Sequence, residues 1–447
     1  MASPVSTYAN HPYIPSTDLE RAEMLGVIGV DSLDDLIGDI PVEHRHPRMN
    51  LDAGLSEQEL SGVFAALAAE NASSVNGYIS FLGAGAYSHY IPSTVKSILQ
   101  RGEFVTAYTP YQPEAAQGTL QVGFEFQTVI CQLTGMEVAN AGMYDGPTAF
   151  AEACLMAARV TKRTRIGVLS SADARLPETL LAYSKHQGIE IVSIDPNATE
   201  IPDDLACIGV QSPNFFGEIE DVERFTNLTH ENGALSIVHV NPTALGMFKA
   251  PGEFDVDIVT AEGQPLGVPM AFGGPYVGLF ACKKAHIRQM PGRIIGRTTD
   301  TQGRVGYVLT LQTREQHIRR ERATSNICTS TQLIGLMVTV YAATLGKRGL
   351  KDLANLCYQK AHYAAAEIDQ LDEFSVERTG PFFHEFVITC PESPAKINAA
   401  LLDRKIIGGL DISDRSNNGM LVCVTETSSK ADIDRLVDAL REIGAGS

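Results

Sequence analysis

A stretch of polar and aromatic residues early in the chain could supply chemistry from irregular backbone. Residues 81–118 are rich in glycine, proline, tyrosine and glutamine, and they fit no single helix or strand. Long loops inside a compact chain are usually functional. The side chains there that offer hydroxyls, an imidazole or an amide are Tyr87, His89, Tyr108, Thr109, Tyr111 and Gln112. We predict a binding role for this segment. The alternative for each tyrosine is packing in a subunit interface, where tyrosine is enriched.

A second candidate is the pentapeptide Arg-Ala-Thr-Ser-Asn at positions 322–326, just before a long helical pattern. A guanidinium beside hydroxyls and an amide suits a phosphate or a carboxylate. The predicted binding residues are therefore Arg322, Thr324, Ser325 and Asn326. The alternative is that Ser325 or Asn326 caps the helix while the neighbouring arginines form a solvated basic face. Cys328 is predicted to be a packing residue.

Several short motifs suggest other chemistry but fail on spacing. Gly83 and Gly85 begin a possible dinucleotide fingerprint, yet a serine stands where the third glycine is needed. The pair Gly346-Lys347 lacks the serine or threonine and the upstream glycine of a phosphate-binding loop. His44 and His46 have no third ligand nearby in the sequence, so we predict no metal site.

Composition narrows the possible classes of function. The 447 residues include 53 acidic and 35 basic ones, with a formal net charge of -18. This balance argues against binding nucleic acid or an anionic membrane, because both need basic surface. The most apolar run, Leu333 to Gly346, is shorter than the ~20 residues that cross a bilayer, and no targeting pattern surrounds Arg21, the first basic residue. Eight scattered cysteines without a C-x-x-C pair fit a reducing compartment, so we expect a cytoplasmic protein.

The regular part of the chain predicts the scaffold that positions these residues. Beyond Asn140, short apolar runs alternate with helical patterns, which indicates a mostly parallel sheet covered on both faces. The predicted strands are Arg165–Ser171, Ile189–Ile194, Leu205–Ser212, Leu235–Val240, Val256–Ala261 and Tyr276–Lys284. The predicted helices among them are Pro147–Val160, Pro177–Gln187 and Asp221–Asn232. The predicted fold class is therefore α/β.

Two smaller regions flank this core. We predict an N-terminal helical arm over residues 1–75, a large α/β domain over 76–330, and a long helix with a small C-terminal α+β domain over 331–447. In the C-terminal domain, strands Phe383–Thr389 and Met420–Thr425 alternate with helices Ala395–Arg404 and Lys430–Ile443.

Long segments of the sequence resemble a known enzyme family. They are FLGAGAYSHYIP (81–92), YTPYQPEAAQG (108–118), FEFQT (124–128), MYDGPTAFAEA (143–153), EGQPLGVPMAFGGPYVG (262–278) and RATSNICT (322–329). Together they resemble the P-protein of the glycine cleavage system, in the form of the alpha subunit (subunit 1) of glycine dehydrogenase (decarboxylating). The resemblance runs from IPSTDLERAEML to TGPFFHEFVI and implies the fold of the fold-type I pyridoxal-phosphate enzymes.

The resemblance implies a function that belongs to an assembly. P-proteins bind glycine on pyridoxal phosphate, release carbon dioxide and pass the aminomethyl group to the lipoyl arm of the H-protein. In two-subunit forms the beta subunit carries the cofactor lysine, and the alpha subunit is catalytically incomplete. The implied partners are the glycine dehydrogenase beta subunit and the lipoylated H-protein, with glycine as substrate. Nucleic acid and membrane are not expected.

The residues that a fold-type I enzyme needs for its cofactor are missing from the predicted positions. Such an enzyme needs an aspartate after one core strand and a lysine after a later one. Here the strand Leu235–Val240 is followed by Asn241, and the strand DIVTA leads into Glu262, Gly263 and Gln264. The nearest lysines stand before that strand or after the next one: Lys249, Lys283 and Lys284. We therefore predict no catalytic residue and no bound cofactor in this chain, with pyridoxal phosphate held by the partner beta subunit.

The two polar segments are predicted to line the partner's site, because comparable segments of related dimers line the neighbour's cleft. These partner-site-lining residues are Tyr87, His89, Tyr108, Thr109, Tyr111, Gln112, Arg322, Thr324, Ser325 and Asn326. Asp145 opens a helix that would hold a phosphate in a working subunit, but it is most simply an N-cap. The alternative function is a regulatory or scaffold protein derived from such an enzyme. The close match of both segments to the family favours the catalytic complex.

Overall fold

The computed structural model describes residues 13, 15–47, 50–105, 107–327, 331–377 and 380–445. The chain divides into two compact units, Met1–Glu70 and Asn71–Ser447. The predicted domain boundaries at residues 75 and 330 stay predictions. Among the described residues, no helix is long and apolar enough to cross a membrane.

The described part of the first unit contains three α-helices, α1 (Asp18–Ile28), α2 (Leu33–Leu36) and α3 (Glu57–Ala69). Each helix begins with a reciprocal cap, in which a hydroxyl accepts a backbone N–H and an acidic side chain returns to the cap residue. The pairs are Thr17 with Glu20, Ser32 with Asp35, and Ser56 with Glu59. None of the residues in these three helices is buried. Hydrogen bonds at their N-terminal ends therefore stabilise these helices, and burial of side chains does not.

A seven-stranded sheet organises the second unit. The strands that precede or form it are β1 (Ile79–Ser80), β2 (Val138–Ala139), β3 (Arg165–Leu169), β4 (Glu190–Ile194), β5 (Leu205–Ser212), β6 (Leu235–Val240), β7 (Ile258–Glu262) and β8 (Gly278–Cys282). The order in the sheet is β2-β8-β7-β6-β5-β3-β4, parallel from β7 to β4, with β8 antiparallel to both of its neighbours. The six predicted strands are confirmed. The sheet is mostly parallel, as predicted.

Helices cover both faces of the sheet. They are α4 (Ser93–Leu99), α5 (Gln117–Thr134), α6 (Gly146–Thr161), α7 (Arg175–Ser184), α8 (Val222–Glu231) and the long α10 (Gln332–Ile368). The short α9 (Gln316–Arg319), which precedes α10 in the chain, buries no residue. Successive strand residues enter different cores: Ile237 packs in the cluster around Phe150, and Val238 packs in the cluster around Phe126. Because both faces are buried, the strands have the unbroken apolar character seen in the sequence.

The C-terminal region is built on a smaller antiparallel sheet. Before this region, β9 (Ile294–Thr299) and β10 (Val305–Thr310) form a separate two-stranded sheet. The strands after α10 are β11 (Ser375–Glu377), β12 (Glu385–Thr389), β13 (Ile406–Ile407), β14 (Leu410–Asp411) and β15 (Gly419–Cys423). Four of them pair in the order β11-β12-β15-β14. The helices α11 (Pro394–Asp403) and α12 (Lys430–Gly444) contribute to the same apolar core. The predicted α+β character of this region is confirmed.

Several elements were not predicted from the sequence. The β9–β10 hairpin and α5 received no assignment, and α4 lies inside the stretch read as irregular. Pro92 stands at the N-cap of α4, where a missing N–H costs nothing. A proline that suggests a loop can therefore mark the beginning of a helix.

Candidate functional site

A cavity of about 260 Å³ lies beside the first turn of α6, at the edge where β5, β6 and β7 end. In parallel α/β proteins, ligands bind outside the carboxyl ends of the strands. The residues that carry the argument below are Tyr87, Asp145, Asn241, Glu262, His384 and Glu385, and all six line the cavity.

The Glu262 carboxylate occupies the N-terminal end of α6. Oε2 accepts the backbone N–H of Gly146 at 2.8 Å, and Oε1 accepts those of Gln264 at 3.0 Å and Val277 at 3.4 Å. A Cβ at Gly146 would lie 2.9 Å from the Glu262 backbone nitrogen, so a side chain there would force the two segments apart. Burial raises the pKa of Glu262 to about 7, although the three N–H groups act in the opposite direction. An internal carboxylate thus takes the position that a helix N-terminus offers to an anion.

Asp145 is the N-cap of α6, which confirms the prediction. Its Oδ1 accepts the backbone N–H of Thr148 at 2.8 Å, and the Asp145 N–H donates to the Thr148 hydroxyl at 3.2 Å. The cap and Glu262 therefore use two of the N–H groups that the first turn leaves without helical partners.

A neutral hydrogen-bond pair, Asn241 and His384, also lines the cavity. The Thr243 N–H donates to Asn241 Oδ1 at 2.9 Å, so the Asn241 amide nitrogen faces His384 Nε2, 3.0 Å away, and donates to it. The ring proton of His384 consequently sits on Nδ1, a buried atom without a hydrogen-bond partner among the described residues. Burial holds the pKa of His384 well below its usual range, so the ring stays neutral.

Tyr87 and Glu385 form another part of the cavity wall. The Tyr87 hydroxyl donates to Glu385 Oε2 at 2.8 Å, and the Ala84 N–H donates to Glu385 Oε1 at 2.6 Å. The Tyr87 backbone N–H also donates to the Gln264 side chain at 2.8 Å. Burial raises the pKa of Glu385 to about 7 and that of Tyr87 well above its usual value. Tyr87 therefore lines the cavity of its own chain.

His89 belongs to a separate buried cluster. Its Nδ1 lies 2.7 Å from Glu426 Oε2, and the Cys357 thiol donates to the same oxygen at 3.4 Å. The three ligand atoms lie within 4.8 Å of one another, a spacing that could hold a metal ion. Hydrogen bonds account for that spacing, and burial raises the pKa of the Cys357 thiol well above its ordinary value, which disfavours a thiolate ligand.

The remaining residues of the first polar segment lie on the outside of the unit. Tyr108 is 87% exposed and Tyr111 is 43% exposed, whereas Thr109 is half-buried and Gln112 is exposed. None of these four residues lines the cavity described above. The Tyr111 ring packs edge-on against His317, with 5.2 Å between ring centroids. The fold therefore brings this loop beside the basic segment that precedes residue 322.

The second polar segment also lies at the surface. The Arg322 side chain is 80% exposed, and its Nε lies 3.8 Å from Glu321. Thr324, Ser325 and Asn326 line an open groove of about 590 Å³. The N-cap of α10 is Thr331, so neither Ser325 nor Asn326 caps that helix, and this part of the alternative is wrong. Arg319, Arg320 and Arg322 are exposed, as its other part, a solvated basic face, expects. Cys328 lies outside the described residues.

Sequence reasoning missed His384 and Glu385, which line the cavity, and Glu426, which lies against His89 in the separate cluster. The available signal was a pair of adjacent polar residues, His384 and Glu385, within the apolar segment at the start of β12. Glu262 was noted only as the place of a missing lysine. Its role as an internal anion depends on contacts between segments that are far apart in the sequence.

Comparisons with known proteins agree over nearly the whole chain. The sequence profile of the family described as "Glycine cleavage system P-protein" matches residues 11–440. A relative from Desulfitobacterium hafniense, named "Probable glycine dehydrogenase (decarboxylating) subunit 1", is 50% identical over 444 residues, which is 96% of this chain and 99% of the relative. A crystal structure of a glycine decarboxylase (P-protein) in inhibitor-bound form superposes with a TM-score of 0.90 at 39% identity, covering 97% of this chain and 100% of that one.

A more distant likeness concerns the fold alone. The sphingosine-1-phosphate lyase from Burkholderia pseudomallei superposes with a TM-score of 0.64 at 14% identity, over 90% of this chain and 93% of that one. The predicted fold-type I architecture is confirmed by these structural neighbours.

Proposed function

This chain belongs to the glycine cleavage system P-protein family, and from that premise we propose that it is the subunit of a two-chain glycine dehydrogenase (decarboxylating) that does not hold the cofactor. The observation that carries the proposal is the Glu262 carboxylate at the N-terminus of α6. The near-complete match to a relative named subunit 1 does not favour the alternative of a regulatory or scaffold protein.

The residues of the cavity do not fit pyridoxal phosphate. No lysine is among the residues that line it in the described part of the chain. Asn241, which follows β6, offers an amide where a carboxylate would be needed for a pyridinium nitrogen, and that amide already serves His384. Glu262 accepts the N–H groups that would otherwise face a phosphate. We therefore derive no chemical step in this cavity, and the partner beta subunit would supply the cofactor.

The contribution of this chain would come from its exposed polar segments. Tyr108, Tyr111 and Gln112 on one loop and Arg322 and Asn326 on the other point to a surface that another subunit could cover, since Tyr111 contacts the basic segment. Guanidinium and hydroxyl groups at such a boundary suit the carboxylate of glycine or a phosphate.

Tyr87 and His89 would act less directly. Their hydroxyl and imidazole are hydrogen bonded to Glu385 and Glu426 of the same chain. They would hold the segment 81–92 in place, so that its backbone can shape the neighbouring surface.

The reaction would belong to the assembly. The complex would decarboxylate glycine and transfer the aminomethyl group to the lipoyl arm of the H-protein, with this chain helping to position substrate and to dock the lipoylated partner. The strongly acidic balance of the chain, with a formal net charge of -18, would favour partner surfaces with complementary basic patches.

Absorbance and isotope exchange test the proposal together. One sample contains the purified chain and pyridoxal phosphate, and a second sample contains the beta subunit as well. The absorbance and the glycine-dependent carbon dioxide exchange are followed in both samples. We expect no aldimine band that depends on this chain, and exchange only in the mixture. An aldimine and turnover from the chain alone would refute the proposal. A mixture in which exchange by the beta subunit does not depend on this chain would also refute it.

A further inference from the structure

The occupied end of α6 is assembled by three segments that are distant in sequence. The three N–H groups that face the Glu262 carboxylate come from the first turn of α6, from the residue two positions after Glu262 and from the residue before β8. Tight contacts fix the segments relative to one another. A Cβ at Gly278 would lie 2.2 Å from the Asp145 carbonyl oxygen, and a Cβ at Gly263 would lie 2.7 Å from the Val277 side chain. The arrangement is therefore preformed.

A preformed group of three N–H donors at a helix N-terminus is a binding site for an oxyanion. A carboxylate and a phosphate would need the same donors, so only one of them can be bound. Asp145 lies next to the same turn and adds a second negative charge, which further opposes a second anion. The chain's own carboxylate has the advantage of being covalently tethered at the end of β7.

A second residue of the cavity lining, His384, also points to a ligand. His384 is only 2% exposed, lines the cavity, and carries an Nδ1 without a hydrogen-bond partner in the described part of the chain. A buried donor of this kind costs free energy unless something accepts its proton. A molecule with one end at α6 would share the cavity with this donor.

We propose that Glu262 is the specificity-determining residue of this cavity: its carboxylate is the built-in occupant of a phosphate site, and its removal lets the cavity bind a phosphate monoester. The inference rests on the proposed function, because it explains how a chain with the family's fold excludes the phosphate of the family's cofactor. It predicts that the three N–H groups can bind a phosphate and that the Glu262 side chain prevents this.

Two variants of the whole chain separate the effect of the Glu262 side chain's presence from the effect of its charge. Glu262→Ala removes the carboxylate that accepts the three N–H groups. Glu262→Gln keeps the shape of the side chain but removes its charge and replaces one acceptor oxygen by an NH2 group, which cannot accept the N–H that faced it. The matched control is Glu231→Ala, an exposed residue at the end of α8.

Isothermal titration calorimetry at pH 8 measures binding, with circular dichroism to check folding. The probe is a pyridoxal-phosphate analogue whose aldehyde is replaced by a methyl group, so that it cannot react with surface lysines. The same compound without its phosphate is the second probe. We expect the phosphorylated probe to bind Glu262→Ala about tenfold more tightly than the wild type, since charge-assisted hydrogen bonds are gained. The dephosphorylated probe should gain nothing, and Glu262→Gln should show a smaller gain.

Each result decides the matter. If Glu262→Ala is folded and binds the phosphorylated probe no more tightly than the wild type, the inference is wrong. If Glu262→Ala does not fold, Glu262→Ser, whose side chain is also too short to reach the three N–H groups, takes its place, and no gain there overturns the inference. An equal gain in Glu231→Ala, or in binding of the dephosphorylated probe, also overturns it. Failure of the proposed function looks different, because the wild-type chain would then form an aldimine with pyridoxal phosphate or leave turnover by the beta subunit unaffected.

Discussion

The inner cavity and the two exposed segments contain the same types of side chain in opposite situations. In the cavity, Tyr87, Glu385 and Glu262 all have hydrogen-bond partners within the chain. On the surface, Tyr108 and Arg322 are mostly exposed. The inner groups are therefore committed to the fold, whereas the outer groups are accessible to another molecule.

This difference separates the side chains that hold the fold together from those that another molecule could reach. The Glu262 carboxylate and the Asn241 amide are both hydrogen bonded within the chain, and the Nδ1 of the neighbouring His384 is the exception among the cavity groups described above. The outer surface can then be retained for a partner. Substitutions inside should consequently lower stability, and substitutions outside should lower activity of the complex.

The largest expected effect is at Gly278, where β8 meets the turn before α6. Gly278→Val places side-chain atoms against the Asp145 carbonyl oxygen, 2.2 Å from an added Cβ. We expect a loss of about 3 kcal/mol or more in the free energy of unfolding, at the upper end of overpacking effects, as measured by chemical denaturation. Gly118→Ala is the control, because a Cβ there meets nothing within 4 Å. Equal stability of the two variants would contradict close packing at this end of the cavity.

The pair Tyr87→Phe and Tyr108→Phe tests the contrast directly. The first removes a buried donor from Glu385 and should lower the free energy of unfolding by about 1–2 kcal/mol. The second changes an exposed ring and should alter it by less than about 0.5 kcal/mol. Denaturant titration of the isolated chain measures both. A larger loss in Tyr108→Phe would reverse the assignment of inner and outer tyrosines.

Arg322→Ala probes the outer surface by activity. In the reconstituted complex we expect glycine-dependent exchange to fall about three- to tenfold, because a charge-assisted contact to substrate or partner is lost. The stability of the isolated chain should be unchanged. Arg348→Ala is the matched control, since that side chain is 95% exposed and lies on α10. Unchanged exchange in Arg322→Ala, or an equal fall in the control, would remove this segment from the joint site.

Much of the scaffold could be predicted because its signals are local. The strands β3 to β8 are short apolar runs, and Asp145 has the spacing of an N-cap, so pattern alone located them. The hairpin of β9 and β10 and the helix α5 escaped, since their polar positions mask the periodicity. The local sequence pattern therefore predicted the strands of the sheet better than it predicted the elements around the sheet.

The site was only half predictable, for a physical reason. Tyr87 and Tyr108 look alike in a glycine-rich and proline-rich stretch, and only packing decides that one meets Glu385 and the other faces outward. Glu385 lies 298 residues from Tyr87 in the sequence. Partners so far apart leave no mark in local pattern, so the inner network could not be derived from spacing.

The smallest expected effect is a change in how stability depends on pH. Burial raises the pKa of Glu385, Glu262 and Glu152 from the usual 4.5 to about 7 in the fold. At these three carboxyl groups the folded chain therefore holds more protons than the unfolded chain between these values, and their contribution to stability falls as pH rises through that window.

Glu385→Gln removes one of these three groups, so stability should fall less steeply with pH while the other two still contribute. Denaturation midpoints between pH 6 and pH 8 measure the slope, clear of the pI near 5.0. The exposed Glu178→Gln is the control and should keep the wild-type slope. The variant will also lose stability at every pH, because Tyr87 and Ala84 lose a carboxylate partner, but only the slope reports the titration. A slope identical to that of the wild type would mean that Glu385 stays ionised in the fold, and the inner wall would then carry a charge rather than a neutral network.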